Sequence, residues 1–267
     1  MTRIPIKRGE KLTLAKKLKG DTDKSPGYLR EYERAFSNMV DKEVRLLELG
    51  VYKGGSLLMW RDYFPKGVII GLDRKIAEIN DPTGRIHTYQ GSQQDTALLT
   101  KIVREEAPDG FNIIIDDCSH VGELTHVSFW HLFKYGLKPG GIYAIEDWGT
   151  GYWRSHPYYP DGRRFRRGRE VESIGGGPWL ESGLHWLAHR RVVQGSIIFR
   201  RFLYRYQYIS RLCSHDRGMV GFVKQLIDEI GVGAITSPEF GRPPQRTSRI
   251  SRMEVSPGLV FVFKAEE

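Results

Sequence analysis

Arg45-Leu46-Leu47-Glu48-Leu49-Gly50-Val51-Tyr52-Lys53-Gly54-Gly55-Ser56 is an apolar strand that runs into a glutamate, a glycine-rich turn and the start of a helix. Glycine has no Cβ, so such a turn lets a ligand lie against bare backbone. The spacing is E-x-G-x-x-x-G-G, which is neither the G-x-G-x-x-G dinucleotide fingerprint nor a P-loop. Taken alone, the stretch signals a nucleotide-like ligand and nothing finer.

Working outward, five short apolar runs read as buried parallel strands: Val44–Leu49, Val68–Leu72, Ile86–Tyr89, Phe111–Ile115 and Ile142–Ile145. They are nearly continuous in apolar residues, as strands covered on both faces are. Helical segments are expected between them at Gly55–Tyr63, Thr96–Glu106 and Leu124–Tyr135, the last with Leu124, Val127, Phe129, Leu132 and Phe133 at helical spacing. Alternating strands and helices predict a doubly wound α/β sheet. Lys138-Pro139-Gly140-Gly141 reads as a turn before the fifth strand. From Tyr152 to Ser182 the pattern lapses into Gly, Pro, Arg, Tyr and Trp, which predicts a long loop or small subdomain over the strand ends, within a lid or insert at about 152–212, or else a partly disordered insert. Ile197–Leu212 reads as an amphipathic helix and Gly218–Ile230 as a helix with Val220, Val223, Leu226, Ile227 and Ile230 on one face. Arg249–Val255 and Leu259–Phe263 around Ser256-Pro257-Gly258 predict a closing antiparallel hairpin.

The 267 residues suit one α/β domain, here 44–267, preceded by an arm or short helix over 1–43. Hydrophobic content of 40% and charged content of 27% fit a globular protein. No long apolar run predicts a membrane span, and the lysine-rich N-terminus lacks a signal-peptide core. Two cysteines, Cys118 and Cys213, make neither a disulfide framework nor a four-thiolate zinc site, so a cytoplasmic setting is expected. The net charge of +9 is concentrated in the N-terminal lysines and in Arg163, Arg164, Arg166, Arg167 and Arg169. These are solvated segments or the seat of an anionic ligand. No aromatic RNA-binding signature accompanies them, which makes nucleic acid an unfavoured partner.

In an open parallel sheet, ligands collect at the carboxyl ends of the strands. The first strand ends at Glu48 and Gly50. The second ends at Asp73, whose carboxylate suits the two hydroxyls of a ribose, or else serves as a helix cap or surface group. The third ends at Ser92, Gln93 and Asp95, polar groups within reach of an adenine edge, with Asp95 equally suited to cap the next helix. The fourth ends in Asp116-Asp117-Cys118-Ser119-His120 and the fifth in Glu146-Asp147-Trp148. If these strands are neighbours, Asp117, Glu146 and Asp147 converge and repel one another unless a cation lies between them. Hard carboxylate oxygens suit Mg²⁺, whereas zinc draws more on His and Cys. A histidine three residues beyond Asp117 can take a proton from a hydroxyl that such a metal activates.

Leu-Glu-Leu-Gly-Val-Tyr-Lys-Gly-Gly-Ser (47–56), Ile-Asp-Asp-Cys-Ser-His (115–120), Lys-Pro-Gly-Gly-Ile-Tyr-Ala-Ile-Glu-Asp (138–147) and Leu-Val-Phe-Val-Phe-Lys (259–264) resemble the metal-dependent sugar O-methyltransferases of natural-product pathways. The resemblance runs through about residues 44–150 and returns at the C-terminal hairpin. It implies a class I methyltransferase fold, Rossmann-like and mostly parallel. It implies S-adenosylmethionine at Glu48, Gly50, Tyr52, Lys53, Gly54, Ser56, Asp73, Ser92, Gln93 and Asp116, Mg²⁺ at Asp117, Glu146 and Asp147, and His120 as the base. Cys118 departs from the family, which usually has Gly there. A large N-terminal domain found in some members has no counterpart in the first 43 residues.

The reaction so implied is direct methyl transfer to a sugar hydroxyl, on a glycoside or a nucleotide sugar, in a monomer or a homo-oligomer. A catechol-like acceptor, a non-catalytic cofactor-binding partner and an RNA methyltransferase are the rivals. Tyr152, Trp153, Tyr158, Tyr159 and Trp179 are candidates to line the acceptor side, or to pack against one another in the insert.

Overall fold

The computed structural model describes Leu14, Thr22, residues 24–152, Asp216, and residues 218–235 and 247–266. The expected insert, apart from Tyr152, lies outside these residues, with the Arg163–Arg169 cluster, Trp153, Tyr158, Tyr159, Trp179 and the helix expected at Ile197–Leu212. The chain divides into two units. One holds Met1–His120, Leu124–Trp148 and Leu226–Glu267; the other holds Val121–Glu123 and Gly149–Gln225.

The first unit is built on a seven-stranded sheet. Its strands are β1 (Arg45–Leu49), β2 (Val68–Asp73), β3 (Ile86–Gln90), β4 (Phe111–Asp116), β5 (Leu137–Glu146), β6 (Ile250–Ser256) and β7 (Leu259–Lys264), in the order β3-β2-β1-β4-β5-β7-β6. The pairs β1–β2, β1–β4, β2–β3 and β4–β5 are parallel, whereas β7 runs antiparallel to β5 and β6. Strand order therefore reverses between β1 and β4, the place where open α/β sheets bind ligands at the carboxyl ends of their strands. All five strands read from the parallel part of the sequence are present, but β3, at the edge of the sheet, is not buried as expected: Ile86 and Tyr89 are half-buried and His87, Thr88 and Gln90 are exposed. The Lys138–Gly141 turn falls inside β5, which begins at Leu137 because Leu137 pairs with Phe111 across a register shift.

Helix α1 (Pro26–Phe36) shows why residues before the first strand matter. Ser25 caps it, its hydroxyl accepting from the Tyr28 amide, and Pro26 opens it. Leu29, Tyr32 and Phe36 form its buried stripe. Tyr32 meets Trp60 edge-on with ring centroids 5.0 Å apart and Phe261 at 5.6 Å. Trp60 belongs to α2 (Gly55–Tyr63), so α1 is packed into the core through α2 and β7. The remaining crossovers are α3 (Thr96–Glu106), capped by Asp95, and α4 (Gly122–Tyr135). In α4 the buried face is Thr125, Ser128, Phe129, Leu132 and Phe133, and Val127 is exposed, contrary to the expected stripe. Ile227, in α5 (Gly218–Ile230), is likewise exposed.

In the second unit, the described residues are Val121–Glu123, Gly149–Tyr152, Asp216 and Gly218–Gln225. There Gly122 lies against the Gly218 backbone and Gly151 against Val220, so neither has room for a side chain.

Candidate active site

The glycine turn after β1 is held in place by the residue after it in space, not in sequence. Asp73 Oδ2, at the end of β2, accepts from the amides of Val51 (2.8 Å) and Tyr52 (3.1 Å), and Oδ1 accepts from Lys75 (3.0 Å). Burial alone would raise the Asp73 pKa, but these backbone donors outweigh it and lower it. Gly50 takes φ of 94°, and a Cβ there would overlap the Asp117 carbonyl. The turn at β1 and the turn at β4 are thus in backbone contact. Gly50→Ala should cost about 2–4 kcal/mol, combining left-handed strain with that overlap. A denaturant titration showing wild-type stability would contradict this packing. Gly54, at φ of 86°, is the N-cap of α2, and Lys53 Nζ lies over the exposed Tyr52 ring at 5.2 Å.

Glu48 and Ser56 face inward. Glu48 is fully buried, and burial raises its pKa against the opposing effects of Lys24 and the Ser56 hydroxyl. Neither of its carboxylate oxygens has a well-aligned hydrogen-bond donor. Asp116 and Gln93 also turn away from solvent. Gln93 Nε2 stands 3.3 Å from both Asp116 oxygens, Ser128 and Tyr143 donate to Asp116 Oδ2, and the Ser119 amide donates to Gln93 Oε1. Burial pushes Asp116 up to about 6. This network ties the end of β3, where Ser92 accepts from the Asp95 amide, to the loop after β4. Burial also drives the Cys118 thiol well above its ordinary range.

The carboxylates at the ends of β1, β4 and β5 converge as the strand order requires. They form two groups that share Asp117. Asp117, His120 and Asp147 bring their ligand atoms within 4.8 Å of one another, and so do Glu48, Asp117 and Glu146. His120 Nε2 lies 3.8 Å from both Asp117 Oδ1 and Asp147 Oδ2. Among the described residues, only Tyr52, His120 and Asp147 are non-glycine residues with positive φ, at 50°, 52° and 53°. All three sit on the turns that follow β1, β4 and β5. Backbone strain of this kind persists only where surrounding contacts impose it, and it concentrates at ligand sites.

The second group already holds a cation. Lys24 Nζ lies 3.2 Å from Glu48 Oε1, 2.8 Å from Asp117 Oδ2 and 2.5 Å from Glu146 Oε1. Burial would lower the Lys24 pKa, but the three carboxylates outweigh it and hold the ammonium well above its ordinary value. Burial and Asp117 in turn raise Glu146. Tyr32 donates to Glu146 Oε1 at 2.6 Å and Tyr28 to Asp147 Oδ1 at 2.5 Å. Tyr28 fits because residue 258, at the β6–β7 turn, is glycine; a Cβ there would strike its hydroxyl. The Gly258 carbonyl also accepts from the Asp147 amide. Reading along the strand ends misses Lys24, Tyr28 and Tyr32, which precede the first strand. The signal for the two tyrosines is the Ser25-Pro26 helix start with Leu29, Tyr32 and Phe36 spaced along one face; Lys24 carries no such signal.

No protein-family model matches the chain. A search of the solved structures finds MycE, a methyltransferase from the mycinamycin biosynthetic pathway, in complex with Mg and SAH. It aligns with a TM-score of 0.59 and 31% identity over 89% of this chain and 48% of its own. The fold is that of class I methyltransferases. Among curated proteins, mycinamicin VI 2''-O-methyltransferase of Micromonospora griseorubida is 44% identical over 129 residues, 46% of this chain and 31% of that protein. An 8-demethyl-8-(2-methoxy-alpha-L-rhamnosyl)-tetracenomycin-C 3'-O-methyltransferase of Streptomyces olivaceus is 44% identical over 128 residues, 45% of this chain and 32% of that protein. The matched stretch spans about a third of the length of these curated relatives. Among the described residues, no helix is long and apolar enough to cross a membrane.

Proposed function

We propose that the protein transfers the methyl group of S-adenosylmethionine to a sugar hydroxyl, with Mg²⁺ at the acidic strand ends. The observation that carries this reading is the meeting of Asp117, His120 and Asp147 within 4.8 Å, beside a glycine turn that contacts the Asp117 backbone. The similarity to sugar O-methyltransferases over nearly half of the chain supports it.

The donor set fits a hard divalent cation. Asp117, Glu146 and Asp147 offer carboxylate oxygens, which Mg²⁺ prefers. Glu48, Asp117 and Glu146 crowd three carboxyl groups around the one ammonium of Lys24, and burial raises the pKa of Glu48 and Glu146. A divalent cation there would favour their ionised forms. When bound, Mg²⁺ would orient the acceptor hydroxyl and make it more acidic.

The chain's own residues do the rest. The turn from Glu48 to Ser56, with Asp73 bracing it, seats the methyl donor. His120 Nε2 takes the hydroxyl proton as the oxygen forms its bond to the methyl carbon. The carbon–sulfur bond breaks, its electron pair returning to sulfur to give neutral S-adenosylhomocysteine. Asp117 and Asp147, each 3.8 Å from the ring nitrogen, offset the positive charge that the imidazole gains. No covalent enzyme intermediate is required. Alignment of oxygen, carbon and sulfur supplies much of the rate.

The test is transfer of a labelled methyl group to a panel of glycosides, nucleotide sugars and catechols, each with EDTA and with Mg²⁺ restored. Transfer to a sugar-bearing acceptor that stops in EDTA and returns with Mg²⁺ is expected. Transfer to catechols alone moves the acceptor class. Full activity in chelator removes the metal from the reading.

A further inference from the structure

The inner half of the acidic centre is occupied by part of the chain itself. Lys24 Nζ touches Glu48, Asp117 and Glu146, with 2% of its side chain exposed. At 2.5 Å from Glu146 Oε1 and 2.8 Å from Asp117 Oδ2, the ammonium fills the space between those two carboxylates. Two of the three carboxylates expected to hold Mg²⁺ are therefore already engaged.

Lysine is suited to a reversible role of this kind. It is a compact point charge on a flexible four-carbon stem, with rotatable donors and no fixed fork. Lys24 lies immediately before Ser25, the N-cap of α1, so its backbone is at the edge of a regular element and not inside one. The helix beyond it is anchored independently by Leu29, Tyr32 and Phe36 in the aromatic core. The side chain can withdraw without unseating α1. While it stays, it keeps the buried carboxylates from being left without a counter-ion.

We propose that Lys24 is a built-in counter-ion that competes with the divalent cation for Asp117 and Glu146, so that metal loading requires its ammonium to leave. The proposal rests on the reading that a divalent metal binds here, and it concerns binding, not turnover. An internal competitor lowers apparent affinity by the fraction of molecules in which it has withdrawn. It also keeps the site intact when no metal is present, and links metal loading to the residues that precede α1.

The experiment is a Mn²⁺ titration of the full chain, read by calorimetry and by electron paramagnetic resonance of the free ion. Lys24→Met keeps the bulk of the stem and removes the charge. It should bind Mn²⁺ at least about 10-fold tighter than wild type, a change of about 1.4 kcal/mol. Lys24→Arg retains the charge and should bind no tighter than wild type. Equal or weaker binding in Lys24→Met overturns the proposal, because it makes Lys24 a bystander or a support for the metal. A second measurement needs no variant. Acetylation of Lys24 in wild type, followed by mass spectrometry against the exposed Lys66, should rise several-fold when Mg²⁺ is added. Unchanged protection at a saturating Mg²⁺ concentration would falsify the displacement. If neither wild type nor Lys24→Met binds Mn²⁺, the metal reading fails together with this one. If both bind equally, only the proposal about Lys24 fails.

Discussion

Under the proposed function, His120→Ala is expected to lower kcat for methyl transfer about 100- to 10,000-fold and to leave the affinity for S-adenosylhomocysteine unchanged. The range is that of a positioned general base. The unchanged affinity follows from place. His120 stands on the turn after β4, whereas the turn expected to seat the methyl donor follows β1 and is braced by Asp73 of β2. The backbone needs its own control, since His120 has φ of 52° and alanine tolerates that poorly. His120→Asn meets this need, because asparagine accepts the left-handed region but does not act as a base. Both variants should lose turnover alike in a single-turnover assay with labelled donor. Turnover near wild type in His120→Asn would mean that another group takes the proton. A matching loss of S-adenosylhomocysteine binding in both variants would mean that His120 supports the cofactor turn instead.

The strands that carry this site were legible because each is a short apolar run ending in residues a strand interior rejects. Glu48, Asp73, Asp116-Asp117 and Glu146-Asp147 all mark such ends, and strand order then brings β1, β4 and β5 together. The sequence pattern also shows the closing hairpin, through Ser256-Pro257-Gly258. Two things were not legible. Register and depth decide which polar groups turn inward: Asp116 and Gln93 pair with each other, and Glu48 faces the acidic cluster as well as the glycine turn. These depend on packing that no local period encodes. The other is Lys24. As one lysine among many before the first strand, it reads as a solvated charge, and nothing in its neighbours announces burial among three carboxylates. Its position follows only from the capped α1 and the aromatic contacts of Tyr32 and Phe36, which are tertiary facts. Glycine at 258 belongs to the same class, since its reason is the approach of Tyr28 and not the turn alone.

Asp117→Asn is expected to have the broadest effect, because Asp117 is shared by both groups of the acidic centre. Its Oδ1 faces His120 and its Oδ2 faces Lys24. Asparagine keeps the size and removes the charge, so Lys24 loses one of three carboxylates and the metal loses a hard oxygen anion. Mn²⁺ binding should weaken at least about 100-fold, and methyl transfer should fall to background. Stability should move far less. Glu48 and Glu146 continue to balance the Lys24 charge, and the relief of repulsion among the carboxylates offsets part of the loss. This separates Asp117 from Glu146, whose carboxylate serves both Lys24 and the buried Tyr32 hydroxyl. Glu146→Ala leaves that hydroxyl without a partner and one carboxylate fewer around the ammonium, and it should destabilise the fold by about 3–5 kcal/mol. Calorimetric unfolding of both variants, beside their Mn²⁺ titrations, makes the comparison. If Asp117→Asn binds Mn²⁺ as wild type does, the divalent cation lies elsewhere, and the acidic centre is a structural knot around Lys24 instead of a place for chemistry.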